Sequence, residues 1–146
     1  MKKIVIGSNT FFKDYVDYTS HDVDYIVFEE NPKQYKNFMH INLRCKGSDT
    51  FYYRDMSKEE FIEYELKHCS KVPMAAGKLL VPELCEYKNI TIEDLKRFQL
   101  AFDSMDNKHK YEQIIYQSYL ENNSFTLTND QRDKAYKEYK KLRKNN

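Results

Sequence analysis

The sequence predicts an α+β fold, a small mixed sheet at the N-terminus followed by a helical bundle packed on it. Two observations carry that prediction. Short runs rich in Ile, Val, Phe and Tyr crowd the first third of the chain, separated by polar turn segments. After Asp55 the apolar residues recur at helical spacing, behind Ser/Thr-x-x-acid or amide signatures that open helices. The 146 residues, with thirteen Tyr, nine Phe and no Trp, are enough for one domain with an aromatic core and no disulfide staples. The change of pattern divides the chain at residues 1–56 and 57–146, two parts of one compact domain.

Strands are expected at residues 2–7, 22–28, 38–45 and 50–54, where β-branched and aromatic residues dominate. Glu29-Glu30-Asn31-Pro32 and Lys46-Gly47-Ser48-Asp49 supply turn chemistry between them, and residues 9–19 hold a loop or short helix. Ser57-Lys58-Glu59-Glu60 reads as a capping box, opening a helix that ends near Cys69 and carries Phe61, Ile62, Glu65 and Leu66 at helical spacing. A second helix, residues 74–86, carries Ala75, Ala76, Leu79 and Leu80; Pro82 near its end should kink or stop it. Thr91-Ile92-Glu93-Asp94 caps a third, reaching Met105 with Leu95, Phe98 and Phe102 on one face. Another spans 108–121 through Tyr111, Ile114, Ile115 and Tyr119. Thr128-Asn129-Asp130-Gln131 opens the last, with a narrow stripe of Tyr136, Tyr139 and Leu142. Such aromatic stripes are core rather than ligand boxes.

A net charge of +1 gives no global drive toward nucleic acid or an anionic membrane. Cys45, Cys69 and Cys85 are odd in number, widely spaced and without a Cys-x-x-Cys pair, which favours a reducing compartment over a disulfide framework or a zinc site. With no signal-peptide pattern and no apolar span of membrane length, the chain is expected to be cytoplasmic, with no membrane partner. Heavy use of Lys, Asn, Ile, Tyr and Phe is what an AT-rich genome encodes, and points to a low-GC bacterium or a phage infecting one.

The chemistry-bearing segments lie near the start. Gly7-Ser8 closes the apolar run Lys3-Ile4-Val5-Ile6, and Asp22-Val23-Asp24 opens the next one, Tyr25-Ile26-Val27-Phe28. Successive side chains of a strand alternate faces, so Asp22 and Asp24 share one, and two carboxylates on a face can hold a divalent metal. A tight glycine turn beside them offers backbone N–H groups to a triphosphate. The plainer reading of the same residues is a short turn followed by an acidic, solvent-facing strand start.

With these motifs in place, the sequence resembles the nucleotidyltransferase superfamily typified by DNA polymerase β, in a minimal form. The family sets a Gly-Ser turn against the triphosphate and an acid-x-acid pair on the adjoining strand. Lys78-Leu79-Leu80-Val81-Pro82-Glu83 and the stretch from Asp106 through Tyr111, Tyr119 and Phe125 to Thr128 look like the helical half of small phage and bacterial nucleotidyltransferase-like proteins, which extends the likeness over most of the chain.

The resemblance implies a nucleotidyltransferase-like sheet in which Gly7 and Ser8 cradle the phosphates. Asp22 and Asp24 are then the catalytic metal ligands, for Mg2+ or Mn2+. It implies a bound nucleoside triphosphate whose nucleotidyl group passes to an acceptor, nucleic acid or protein. Two departures stand out. The family usually precedes its Gly-Ser turn with a helix, whereas this chain begins almost directly with the strand. The family also usually carries a third carboxylate on a neighbouring strand, and the expected neighbour, Phe38-Met39-His40-Ile41-Asn42-Leu43, offers His40 and Asn42 but no acid. Asp49 or Asp55 fills that role only if the sheet brings one alongside.

By alternation His21 faces away from Asp22 and is read as structural. His68-Cys69 has no partner at metal spacing. Lys78 is the candidate point charge for a triphosphate, against the plainer reading of a solvated lysine. The tail places Arg132, Lys134, Lys137, Lys140, Lys141, Arg143 and Lys144 against Asp133 and Glu138; Tyr136 and Tyr139 either stack on bases or pack inward. Two further readings therefore accompany the enzyme. One is a catalytically inactive module of phage or bacterial origin that engages a host protein or nucleotide. The other is a nucleic-acid binder working through the basic tail. No oligomeric state follows from the sequence.

Overall fold

Among the described residues four short strands form one mixed sheet of order β1-β2-β4-β3, with β1 at Lys2–Ile6, β2 at Asp24–Glu29, β3 at His40–Cys45 and β4 at Ser48–Arg54. The computed structural model describes residues 2–19, 23–30, 40–45, 48–69 and 81–144. β1 and β2 run antiparallel, β2 and β4 parallel, and β3 and β4 antiparallel. The fold is therefore α+β, with the sheet in the first of two compact units, Met1–Tyr64 and Glu65–Asn146.

β4 begins earlier than its composition implies. Ser48-Asp49 reads as turn chemistry, yet the β3–β4 ladder continues through Arg44↔Asp49 to Cys45↔Ser48. Ladder hydrogen bonds override the weak turn preference of two polar residues, and Asp49 becomes a strand residue.

In the first unit Ile4, Ile6, Ile26, Phe28 and Tyr53 are buried and share one sheet face by alternation and register. Helix α1, Ser8–Phe12, adds the fully buried Phe12, and α2, Lys58–Cys69, adds Phe61 and Ile62. The rings of Phe28, Tyr53 and Phe61 form a triangle with centroids 5.6 to 5.8 Å apart, each such pair contributing about 0.5–1.5 kcal/mol beyond area burial. The predicted cap is present: Glu60 N–H donates to Ser57 Oγ at 3.2 Å, and Ser57 N–H to Glu60 Oε1 at 3.4 Å.

The described residues of the second unit beyond α2 hold α3 Pro82–Lys88, α4 Ile92–Lys96, α5 Gln99–Asp103, a 3-10 turn Asn107–His109, α6 Lys110–Asn122 and α7 Asn129–Lys144. Pro82 starts a helix rather than ending one. It occupies the first helical turn after Val81, where a missing N–H costs nothing and the fixed φ is already helical. Residues 74–80 of the expected 74–86 helix lie outside the described residues.

The helix expected from Thr91 to Met105 is broken in two. Arg97 and Phe98 close tighter bonds to Asp94 and Leu95, at 3.1 and 3.0 Å, and the chain bends there before resuming. Leu95, Phe98 and Phe102 are nonetheless all buried, and Phe102 stacks on Tyr116 of α6 at 4.5 Å. Thr128 and Gln131 form the last box, at 2.9 and 3.1 Å, and Gln131 also exchanges hydrogen bonds with Asn122 at the end of α6. No helix among the described residues is long and apolar enough to cross a membrane.

Candidate functional site

The sheet brings the sequence motifs together at one end. β1 leaves the ladder at Ile6, whose antiparallel partner is Asp24, the first residue of β2. Gly7 then turns the chain at φ 79°, ψ −158°, a backbone region essentially reserved for glycine. A Cβ built on Gly7 would stand 3.9 Å from Asp24 Oδ2, so the glycine turn and the carboxylate face each other. Thr10 pins the turn from the far side: its N–H donates to Gly7 O at 3.1 Å and its hydroxyl to Val5 O at 3.2 Å.

A second carboxylate residue arrives on β4. The parallel register Tyr25↔Thr50 sets Asp24 and Asp49 side by side, one residue earlier in each strand. Alternation gives both the face that carries Ile26, Phe28, Phe51 and Tyr53. Two hydrogen bonds latch the strand starts: Asp49 N–H donates to Asp24 Oδ1 at 2.9 Å, and Val23 N–H donates to Ser48 Oγ at 2.9 Å. Asp24 is thereby oriented, with Oδ1 toward β4 and Oδ2 on the Gly7 side.

This corrects the expected neighbour. β4, not the segment holding His40 and Asn42, lies beside β2, and those two residues pair with Tyr53 and Phe51 across the far edge of β4. The signal was present in the sequence: Asp24-Tyr25-Ile26-Val27-Phe28 and Asp49-Thr50-Phe51-Tyr52-Tyr53 share one pattern, acid, then apolar or aromatic at alternate positions. Asp55 is excluded from the group. Its N–H bonds Glu29 O at 2.8 Å at the other end of the sheet, about 20 Å along β4 from Asp49 at 3.3 Å per residue.

Ser8 opens α1 beside Gly7, and its hydroxyl is hydrogen-bonded to the Tyr18 hydroxyl at 2.9 Å. Asp22, His21 and Lys78 lie outside the described residues. Among the described residues no group of three or more His, Cys, Asp or Glu side chains is arranged to hold a metal ion, and none involves His68. Mg2+ itself commonly takes only one or two carboxylates and completes its octahedron with phosphate oxygens and water.

Two other features are set aside on chemical grounds. An open groove of about 390 Å³ is lined by Glu30, Asp55, Met56, Ser57 and Glu60, but Glu60 is committed to capping Ser57 and to an ion pair with Arg54 at 3.4 Å. Cys85 is buried, and that burial, reinforced by the nearby Asp94 carboxylate, pushes its thiol up to about 12. Such a thiol stays protonated and is no nucleophile.

Comparison with protein-family models, curated proteins and solved structures finds no match to this chain.

Proposed function

We propose that the chain is a nucleotidyltransferase-like protein that binds a nucleoside triphosphate with Mg2+ or Mn2+ at the Gly7 turn and transfers the nucleotidyl group to an acceptor hydroxyl. The single observation that supports this reading is the meeting of Asp24 with both Asp49 and Gly7 at one end of the sheet. Sequence position adds Asp22, two residues before Asp24, as a further oxygen donor. The setting is the cytoplasm of a bacterium or of a phage-infected cell.

Bound there, the divalent ion would neutralise phosphate charge as it builds on the leaving group. The chain's own residues do the rest. Gly7 lets the backbone approach the phosphates, and Ser8 exchanges its bond to Tyr18 for one to a phosphate oxygen. Asp24, held by the Asp49 amide, fixes the geometry at the α-phosphate. Asp49 accepts the acceptor's hydroxyl proton as its oxygen bonds to the α-phosphorus and the bond to the bridging oxygen breaks, releasing pyrophosphate.

The test titrates each nucleoside triphosphate, with and without Mg2+, against wild type, Asp22→Asn and Asp24→Asn, and measures pyrophosphate released in the presence of candidate acceptors. Metal-dependent binding that both variants weaken at least tenfold is the expected result. Binding that ignores Mg2+ or both substitutions would overturn the reading. Metal-dependent binding without pyrophosphate release would point to the inactive module instead.

A further inference from the structure

Helix α7 carries seven Lys and Arg against three Asp and Glu, in a chain whose net charge is only +1, so the rest of the molecule is net negative. Among its described side chains Ala135, Tyr136 and Tyr139 are buried, and Tyr139 packs edge-on against Tyr111 of α6. At 100° per residue, Lys134, Lys137 and Lys141 fall within about 60° of arc opposite that buried stripe, in a row about 10 Å long. All three are exposed. Lys134 and Lys137 make no ion pair with any described residue, and Lys141 makes a solvent-exposed one with Glu138 at 3.3 Å. Lys140 flanks the row, its ammonium 5.0 Å from the Tyr136 ring.

The helix dipole accounts for cations in the last turn only. It does not account for Lys134 or Lys137, which lie in the interior of the helix, and the lysines at three- and four-residue spacing repel one another. A row of exposed like charges on one helix face suits an external polyanion. Lysines are point charges without the planar fork of arginine, which matches phosphates approached along a backbone better than a carboxylate gripped at two oxygens. A lipid surface is disfavoured, because the apolar stripe that would insert into it is buried in the packing of α6 on α7. Tyr136 and Tyr139 are buried and stacked on each other at 6.1 Å, so the bases of a bound strand are not read by them.

We propose that Lys134, Lys137 and Lys141 form a docking surface for the phosphate backbone of a nucleic-acid strand, independent of base sequence. Asp24 and Asp49 play no part in it. Fluorescence anisotropy with a labelled single-stranded oligouridylate tests it, using wild type, the triple variant Lys134→Gln/Lys137→Gln/Lys141→Gln, the charge-preserving triple Lys→Arg variant, and Lys96→Gln as a remote control. Three phosphate contacts predict a wild-type affinity that falls about twentyfold between 50 and 200 mM salt. The Gln triple should lose at least tenfold in affinity at the lower salt and most of that salt dependence, with unchanged helical circular dichroism, since Gln and Lys have similar helix propensity. The Arg triple and Lys96→Gln should bind like wild type. Equal binding by the Gln triple, absence of wild-type binding, or tighter binding to phosphatidylserine vesicles through the same lysines would overturn it.

Discussion

Replacing Gly7 by Ala isolates the backbone contribution to the candidate site. Gly7 sits at φ 79°, ψ −158°, and an L-residue held there costs about 1–3 kcal/mol. Crowding adds nothing, because the new Cβ would meet Asp24 Oδ2 at 3.9 Å, an ordinary van der Waals contact. Alanine also narrows the unfolded ensemble, which returns about 0.4–1 kcal/mol, so the net loss should be about 1–2 kcal/mol. Urea denaturation followed by circular dichroism and tyrosine fluorescence reads this as a midpoint about 1 M lower, for m-values of about 1–3 kcal/mol/M. The double variant Gly7→Ala/Asp24→Ala separates the causes. Backbone strain persists when the facing side chain is removed, so the two losses should add to within about 0.5 kcal/mol. A wild-type midpoint for Gly7→Ala, or rescue of it by Asp24→Ala, would refute the reasoning.

Three further outcomes follow from the helical unit. Burial raises the Cys85 thiol to about 12 and holds the Tyr116 and Tyr119 phenols well above their usual value. Because these groups keep their protons in the folded chain while the unfolded thiol ionises near 9.0, stability should be full below that pH and fall as pH rises toward 12. Urea midpoints across that range check it, and iodoacetamide at pH 8 should leave native Cys85 unmodified by mass spectrometry while labelling it in urea. The Tyr119 hydroxyl is buried with no hydrogen-bond partner among the described residues. Tyr119→Phe keeps the ring contacts with Tyr116 and Phe125 and should be neutral or stabilising by about 1 kcal/mol in thermal unfolding. Thr128→Ala removes the acceptor for Gln131 N–H and should destabilise by about 1 kcal/mol, whereas Thr128→Ser should recover most of that loss.

The parts of the fold legible in the sequence are those fixed by local chemistry. Thr91 with Asp94, Ser57 with Glu60 and Thr128 with Gln131 each satisfy backbone amides within one turn, so their helices start where the residues say. Pro82 misleads because proline ends a helix from inside but suits its first turn, and sequence alone does not say which side the helix lies on. The break at Arg97 and Phe98 leaves the apolar face intact and so writes nothing into the periodicity. At the site, Gly7 and Asp24 are legible because they flank one antiparallel pair of strands. Asp49 is legible only as one of two conditional candidates, because it reaches Asp24 through a parallel, non-local pairing that a local reading of Ser48-Asp49 as a turn conceals.

The proposal that Asp24 and Asp49 hold a divalent metal is tested most directly by Mn2+ titration in the presence of a nucleoside triphosphate, followed by paramagnetic broadening of assigned amide resonances. Asn at either position keeps the backbone N–H of residue 49 and a side-chain carbonyl at residue 24, so the bond between them at 2.9 Å survives while the charge is lost. Gly7, Asp24 and Asp49 should broaden first, and Asp49→Asn should raise the Mn2+ concentration required by at least tenfold. Broadening that begins instead around Glu30, Asp55 and Glu60, or that is the same with and without the Asp49 carboxylate, would contradict the assignment.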